Sequence, residues 1–447
     1  MELLNSQEIT ITETALETSV EPLSAQIILL KEESPERIVL PKASGILCHL
    51  SSLPGADNQL RFDGALGKRG RAFVDWLAES GFKLWQILPV NPVGTGNSPY
   101  FSPCVFAGET RYIDLDELPD DDGFDAFCDE NQYWLSDWAE YVIESNYMDY
   151  VSRHKNFSKD AMLYDIRYEQ YVFFAQLKRL KEYANSKSIS LIGDLPIYAT
   201  PSSADLKAHP EYFQLDEDGH LLNTAGVPPD YFSETGQHWT NPLYNWDAMG
   251  KDDYEWWYQR LRQALKYFDY IRLDHFRSFS AYYAIPEGKL PAEGSWQQGP
   301  GIKFFYRMKE RLGDLPIIAE DLGLLDSDVF NLIKLSGFPG MNIWQFSAEE
   351  MQAMTQEQAS SRVFYSGTHD NQTLVGWCAD TYPEADSREK AREIIKELMD
   401  SKAPWVVFQL QDILLLDDSA RMNIPGTVEN NWLWHCAEPL PEVQMLR

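Results

Sequence analysis

Short apolar runs recur along this chain, and most of them close on a polar or charged residue. Gly45-Ile-Leu-Cys-His-Leu50 is the first and Leu84-Trp-Gln-Ile-Leu-Pro89 the second. The third is Ile189 to Pro196, the fourth Phe268 to Leu273, and the fifth begins at Leu315 and ends at Glu320. Gly340 to Phe346, Arg362 to Gly367 and Trp405 to Phe408 complete the series. Between them the spacing changes from runs to helical periodicity. Arg69 to Gly81 places Phe73 and Leu77 on one face, and Tyr168 to Lys187, Tyr254 to Tyr267 and Arg388 to Lys402 also read as helices. Strand-then-helix alternation carried through most of a long chain predicts an α/β protein, a (β/α)8 TIM barrel.

Two stretches do not fit a plain crossover. Residues of about 97–165 and 197–253 read as insertions on β→α loops of a barrel occupying 44–447. The first holds an acidic segment, Asp114 to Glu130, with no basic residue. Gln411 to Trp434 reads as a short helix and an irregular segment. Residues 1–43 form an N-terminal extension with a β-prone run at Glu8 to Thr14 and an apolar patch at Ile27 to Leu30. That composition suits either an added edge strand or a disordered tail.

Composition narrows the partners. The chain has 69 acidic and 38 basic residues, a formal charge of −31, which argues against nucleic acid and against anionic membranes. Its 59 aromatic residues are mostly core material, but exposed rings are what flat neutral sugars stack on. The cysteines, Cys48, Cys104, Cys128, Cys378 and Cys436, are odd in number and widely spaced, with no C-x-x-C. They make neither a disulfide framework nor a zinc site and point to a reducing, cytoplasmic setting. No stretch has the length of a membrane span, and the first residues lack the pattern of a signal peptide.

The chemistry gathers at three run ends. In Tyr270-Ile-Arg-Leu-Asp274-His-Phe-Arg277, alternation puts Arg272 and Asp274 on one side of a strand, where the cation favours the ionised acid. Glu320 ends the fifth run, and His369-Asp370-Asn371 follows the seventh. Each acid alone reads equally well as an ion pair or a helix cap. Together they lie on the rim where barrel enzymes place their reactive groups. Two carboxyls and an arginine are the minimum for glycosidic bond cleavage, and a third acid beside a histidine suits gripping ring hydroxyls.

The motifs extend this. Leu84-Trp-Gln-Ile-Leu-Pro89, Asn97-Ser-Pro-Tyr100, Ile192-Gly-Asp-Leu-Pro-Ile197, Ala225-Gly-Val-Pro-Pro-Asp-Tyr-Phe-Ser233, Thr235-Gly-Gln237, Asn241-Pro-Leu-Tyr244, Arg272 to Arg277, Ile318-Ala-Glu-Asp-Leu-Gly323, Gly367 to Asn371 and Arg421-Met-Asn-Ile-Pro-Gly426 resemble the 4-α-glucanotransferases of the amylomaltase, or disproportionating enzyme, family (glycoside hydrolase family 77), relatives of the α-amylases. The Gly-Val-Pro-Pro-Asp-Tyr stretch is the most specific of these. The resemblance implies transfer of an α-1,4-glucan segment from a donor maltooligosaccharide or starch-type glucan to a sugar acceptor, with retention and without metal or organic cofactor. It implies Asp274 as nucleophile, Glu320 as general acid/base and Asp370 as the third acid. It likewise implies Arg272 as the nucleophile's orienting partner, His369 on the donor sugar, Tyr100 beneath that sugar, and Asp194 as a supporting acid. The segment Ala225–Trp239 resembles the family's active-site loop, with Tyr231, Phe232 and Trp239 as glucan contacts.

Three positions depart from the family pattern: Thr240 and Ser278, where glycine is usual, and His435, where arginine is common. Two other functions share these motifs. An amylase-type hydrolase would use the same acids with water as acceptor. A non-catalytic glucan-binding barrel is the second, and the presence of Asp274, Glu320 and Asp370 together argues against it.

Overall fold

The computed structural model describes residues 37–55, 63–229, 235–323, 325–437 and 439–441. The runs at Glu8 to Thr14 and Ile27 to Leu30 lie outside them. Twelve strands are named in chain order: β1 Ala43–Leu47, β2 Leu84–Gln86, β3 Ser190–Leu195, β4 Asn223–Val227, β5 Gln237–Pro242, β6 Tyr270–Leu273, β7 Ala281–Pro286, β8 Ser295–Gln298, β9 Ile317–Ala319, β10 Gly340–Ile343, β11 Arg362–Tyr365 and β12 Trp405–Gln409. Eight of them close a barrel in the order β1-β12-β11-β10-β9-β6-β3-β2, and every pairing within it is parallel. These eight fall on the eight runs expected, most of them shorter, while β1 begins earlier at Ala43 and β12 runs on to Gln409.

Period-two alternation sorts the barrel residues into two cores. Leu47, Leu84, Ile192, Ile318, Ile343, Val363, Tyr365, Trp405 and Val407 fill the interior. The intervening residues, among them Ile46, Trp85, Leu191, Ile271, Leu273, Phe364 and Val406, pack outward against the helices. The same alternation turns Arg272 inward between Ile271 and Leu273, and Asp194 inward between Gly193 and Leu195. Gly193 is required here, because a Cβ at this position would lie 2.4 Å from the Phe268 ring.

The first helix, Lys68–Ser80, ends on Gly81, whose φ of 87° suits a residue without a side chain. The helix expected from Tyr168 begins earlier. It spans Lys159–Ser186, and the Ser158 hydroxyl caps it by accepting from the Ala161 N–H. The sixth run also stops short as a strand: Trp344 opens a helix to Ala353.

A second, antiparallel sheet was not expected. It has the order β5-β4-β7-β8 and leaves the chain between β3 and β6 and again between β6 and β9. It therefore flanks Asp274 in sequence on both sides. The segment Ala225–Trp239, expected as a loop, enters on β4 and returns on β5, so Trp239 stands on a strand.

Candidate active site

Strand register sets the position of the first four groups. Asp194 of β3 pairs across to Arg272 of β6, and Leu273 pairs to Ala319 of β9. Asp274 and Glu320 each follow directly. Their backbone extends the ladder: Asp274 N–H donates to Leu195 O and Glu320 N–H to Leu273 O, both at 3.1 Å.

Arg272 is the hub. Its Nη1 donates to Asp194 Oδ1 at 2.8 Å and Oδ2 at 2.9 Å, and lies 2.9 Å from Asp274 Oδ1. The guanidinium and Asp194 are buried, and the Asp274 side chain keeps 24% of its exposure. Burial pushes the Asp274 carboxyl up to about 7, against the lowering pull of Arg272. The sequence pointed to the Arg272–Asp274 contact; it did not show that Asp194 shares the cation.

Glu320 is held by backbone donors. His275 N–H reaches Oε2 at 2.7 Å and Leu322 N–H reaches Oε1 at 3.0 Å. Its carboxyl is raised first by burial, with Arg272 and the two N–H groups lowering it and Asp321 adding a smaller rise. Asp321 is committed elsewhere, to Arg362 and to the Met341 N–H at 2.7 Å. His275 adopts a φ of 47°, and Trp239 stands edge-on to its ring with centroids 4.7 Å apart.

The remaining groups arrive on loops. The Tyr100 hydroxyl donates to Asp194 Oδ2 at 2.7 Å and lies 3.3 Å from His369 Nδ1. The Tyr100 and His369 rings stack at 4.7 Å, and Trp432 packs against both. Burial lowers the His369 pKa, so the ring is held neutral. Asp370 has a half-exposed side chain. Its Oδ1 accepts from Asn423 Nδ2 at 2.6 Å, and its carbonyl accepts from Arg421 Nη2 at 2.6 Å.

Seven of the expected side chains, Tyr100, Asp194, Arg272, Asp274, Glu320, His369 and Asp370, thus lie at or beyond the C-terminal ends of the barrel strands. Trp239 adjoins them through His275. Tyr231 and Phe232 lie outside the described residues. Trp432 and Asn423 were not singled out from sequence. Asn423 falls in the Arg421–Gly426 motif, and Trp432 in a segment without periodicity.

The departures have local accounts. Ser278 is buried, and its hydroxyl meets the Tyr198 hydroxyl at 3.0 Å. Thr240 has a φ of 65°, the left-handed region where glycine is at home. His435 Nδ1 lies 3.5 Å from the Leu433 carbonyl. Among the described residues, Asp216, Asp218 and His220 form the one group close enough to share a metal ion. All three are exposed on a turn, where Asp216 Oδ1 already accepts from the N–H groups of Asp218 and His220 at 2.9 Å. Among the described residues no helix is long and apolar enough to cross a membrane.

Comparison with known proteins bears on the family and the fold. The family model described as 4-alpha-glucanotransferase matches residues 48–123 and 117–440. The 4-alpha-glucanotransferase of Streptococcus pneumoniae serotype 4 is 36% identical over 477 residues, covering 89% of this chain and 94% of its own length. The amylomaltase of Streptococcus agalactiae, solved in complex with acarbose, superposes with a TM-score of 0.78 at 32% identity, over 89% of this chain and 95% of that one. The amylomaltase of Corynebacterium glutamicum shares the fold at 16% identity, with a TM-score of 0.71 over 89% of this chain and 72% of that one. A closed parallel barrel with acids at its rim, a family match across nearly all of 48–440 and relatives aligned almost end to end lead to one assignment: the chain belongs to the 4-α-glucanotransferase family, enzymes that transfer glucan segments.

Proposed function

We propose that the chain transfers α-1,4-glucan segments by retaining double displacement, with Asp274 as nucleophile and Glu320 as acid and base. The observation that carries this reading is the Arg272 guanidinium shared between Asp194 and Asp274, with Asp274 and Glu320 each one residue past the paired Leu273 and Ala319 of adjacent strands. Burial raises both carboxyls, and the Glu320 charge adds a smaller rise at Asp274. The cation touches Asp274 directly, which favours the charge there and leaves the proton to Glu320.

In the first step an Asp274 oxygen attacks the anomeric carbon of the donor glucan while its bond to the leaving oxygen breaks. The Glu320 proton passes to that oxygen. A glucosyl ester on Asp274 remains, and Glu320 is now a carboxylate. In the second step Glu320 takes the proton of an incoming 4-hydroxyl, whose oxygen attacks the same carbon and displaces Asp274. Two inversions give retention. The acceptor is glucose or another glucan bearing a free 4-hydroxyl.

The other groups serve binding. Asp370 and neutral His369 take ring hydroxyls of the donor sugar, and Tyr100 lies beneath it. Asp194 backs both Arg272 and the Tyr100 hydroxyl. Trp239 lines the acceptor side and keeps water from the ester, and Tyr231 and Phe232 are assigned by family resemblance as further glucan contacts. These side chains suffice for every step, without metal or organic cofactor. The charge of −31 suits neutral sugars rather than nucleic acid or anionic membranes, and the cysteines, held as thiols, suit the cytoplasm.

The deciding experiment is the product profile from maltotriose. Transfer yields glucose and a ladder of longer glucans. Shorter products alone would replace the transfer reading with hydrolysis.

A further inference from the structure

We infer that Asp412 is the positioning residue of the loop that presents His369 and Asp370. The inference rests on the role proposed for Asp370. The loop leaves β11 at Ser366 and enters the helix Leu374–Thr381, and Asp412 grips it at both ends. The Ser366 hydroxyl donates to Asp412 Oδ2 at 2.6 Å, and the Leu374 N–H donates to Oδ1 at 2.7 Å. Gln409 Nε2 adds a weaker contact to Oδ2 at 3.5 Å. Asp412 and Ser366 are both 0% exposed.

The environment calls for a carboxylate rather than an amide. Every hydrogen-bonding partner of the Asp412 carboxylate is a donor, and among the described residues no cation pairs with it. Ser366 Oγ accepts from the Gln409 N–H at 3.3 Å and gives its own hydrogen to Asp412. An Asn at 412 would turn an NH2 toward one of these donors and force the loop base to shift. Burial pushes the Asp412 carboxyl up to about 6, the mark of an acid kept in place at a desolvation cost. Such a group is retained where it fixes a geometry that a neutral residue would not.

Between the two ends the loop has little freedom of its own. Thr368 N–H and hydroxyl both donate to Asn371 Oδ1 at 2.9 Å. A Cβ on Gly367 would lie 2.6 Å from Gln409 Nε2 and 3.2 Å from the Asn371 Cβ. Thr368 to Asn371 therefore moves as a unit, and a shift at the Asp412 anchor carries through to Asp370. A misplacement of about 1 Å caused by a change far from the chemistry lowers turnover by about 100-fold.

The test compares Asp412→Asn with Asp269→Asn on the full chain. Asp269 is also structural, accepting from the Leu191 N–H at 2.8 Å, but it stands at the opposite end of the barrel, just before β6. Maltotriose kcat, KM and melting temperature are measured for both, with Asp370→Asn alongside. The expected result is a loss of about tenfold or more in kcat for Asp412→Asn, a KM within about threefold, and unchanged kcat for Asp269→Asn at a similar melting temperature. If Asp412→Asn keeps kcat within about twofold, or if both variants lose kcat in step with stability, the inference is overturned. An active Asp370→Asn would remove the role of Asp370 itself; an inactive one beside a fully active Asp412→Asn would remove only the positioning role. Ser366→Ala, which deletes one anchor and leaves the carboxylate, decides the matter if Asp412→Asn does not fold. It must lower kcat at least about threefold with KM little changed, and full activity in it overturns the inference.

Discussion

The strand-borne and loop-borne halves of the cleft are held by different means. Asp194, Arg272, Asp274 and Glu320 sit on β3, β6 and β9 or one residue past them, where the barrel ladder sets the backbone. Tyr100, His369 and Asp370 arrive on loops, joined by Trp239, which stands on β5 outside the barrel ladder. Their positions depend on side-chain bonds to distant segments, such as Asn423 to Asp370 and Tyr100 to Asp194. Sites on strands hold geometry more tightly than sites on loops. The groups proposed to make and break bonds therefore occupy the stiffer half. Those proposed to grip and shield sugars occupy the half that can adjust to a chain of variable length.

Damage to the strand-borne half should cost most. Asp274→Asn keeps the shape and removes the nucleophile, so turnover of maltotriose should fall by about 10,000-fold or more, with an unchanged melting temperature. Activity within tenfold of wild type would break the assignment. Arg272→Lys comes next. Nη1 alone meets both acids, and an ammonium on the shorter, flexible Lys stem would not be held in the rigid plane that fixes that nitrogen. The kcat should fall about 100-fold. Buried Asp194 would also lose part of its compensation, so thermal unfolding should move down. A Lys variant with full rate and stability would show that charge alone is needed, and the contrast between the two halves would lose its basis.

Legibility in the sequence follows the same division. Phe268 to Leu273 could be read because an apolar run ending on a charge is what a buried strand at a barrel rim looks like. The run Gly340 to Phe346 was read too long, since periodicity cannot separate a short strand from the start of a buried helix at Trp344. The second sheet was missed because Asn223–Val227 and, Trp296 apart, Ser295–Gln298 are mostly small or polar and too short to show the alternation of a half-buried strand. Asp194 was recognised through family resemblance; its bond to Arg272 is a matter of β3–β6 register, which no single segment encodes. Asp412, Arg421, Asn423 and Trp432 support the third acid from a segment with no regular period. Only contact with Asp370 and His369 gives Arg421, Asn423 and Trp432 a role, and only the bonds to Ser366 and Leu374 give one to Asp412.

In the loop-borne half the effects should be smaller and of another kind. Trp239 is half-buried, with its Nε1 donating to Gln237 Oε1 at 3.0 Å. Trp239→Ala should raise hydrolysis relative to transfer by about tenfold, the shift for roughly 1.4 kcal/mol of lost acceptor stacking. Such a loss lies within the range of about 1–3 kcal/mol measured for aromatic stacking on bases. The readout is reducing ends against total products from maltotriose. An equal fall in both reactions would make the indole a packing residue, and the shielding role would pass to other side chains.

Thr240 offers the smallest effect and the cleanest sign. It stands on β5 between Trp239 and Asn241, exposed, with a φ of 65°. A β-branched residue in this region is crowded against its own backbone, at a cost of about 1–2 kcal/mol. Glycine escapes that cost but loses about 0.5–1 kcal/mol through greater freedom in the unfolded chain. Because the side chain is exposed, little packing is lost with it. Thr240→Gly should therefore stabilise the protein by about 0.5–1 kcal/mol, read as a higher urea midpoint at unchanged slope. Thr240→Ala retains the Cβ and should fall between the two. If the strain is confined to this residue, the ratio of transfer to hydrolysis stays the same in both variants. A Thr240→Gly variant that is more stable yet transfers less well would mean that the β-carbon also stiffens the hairpin that carries Trp239. The loop-borne half would then owe part of its shape to a strained residue where relatives usually have glycine.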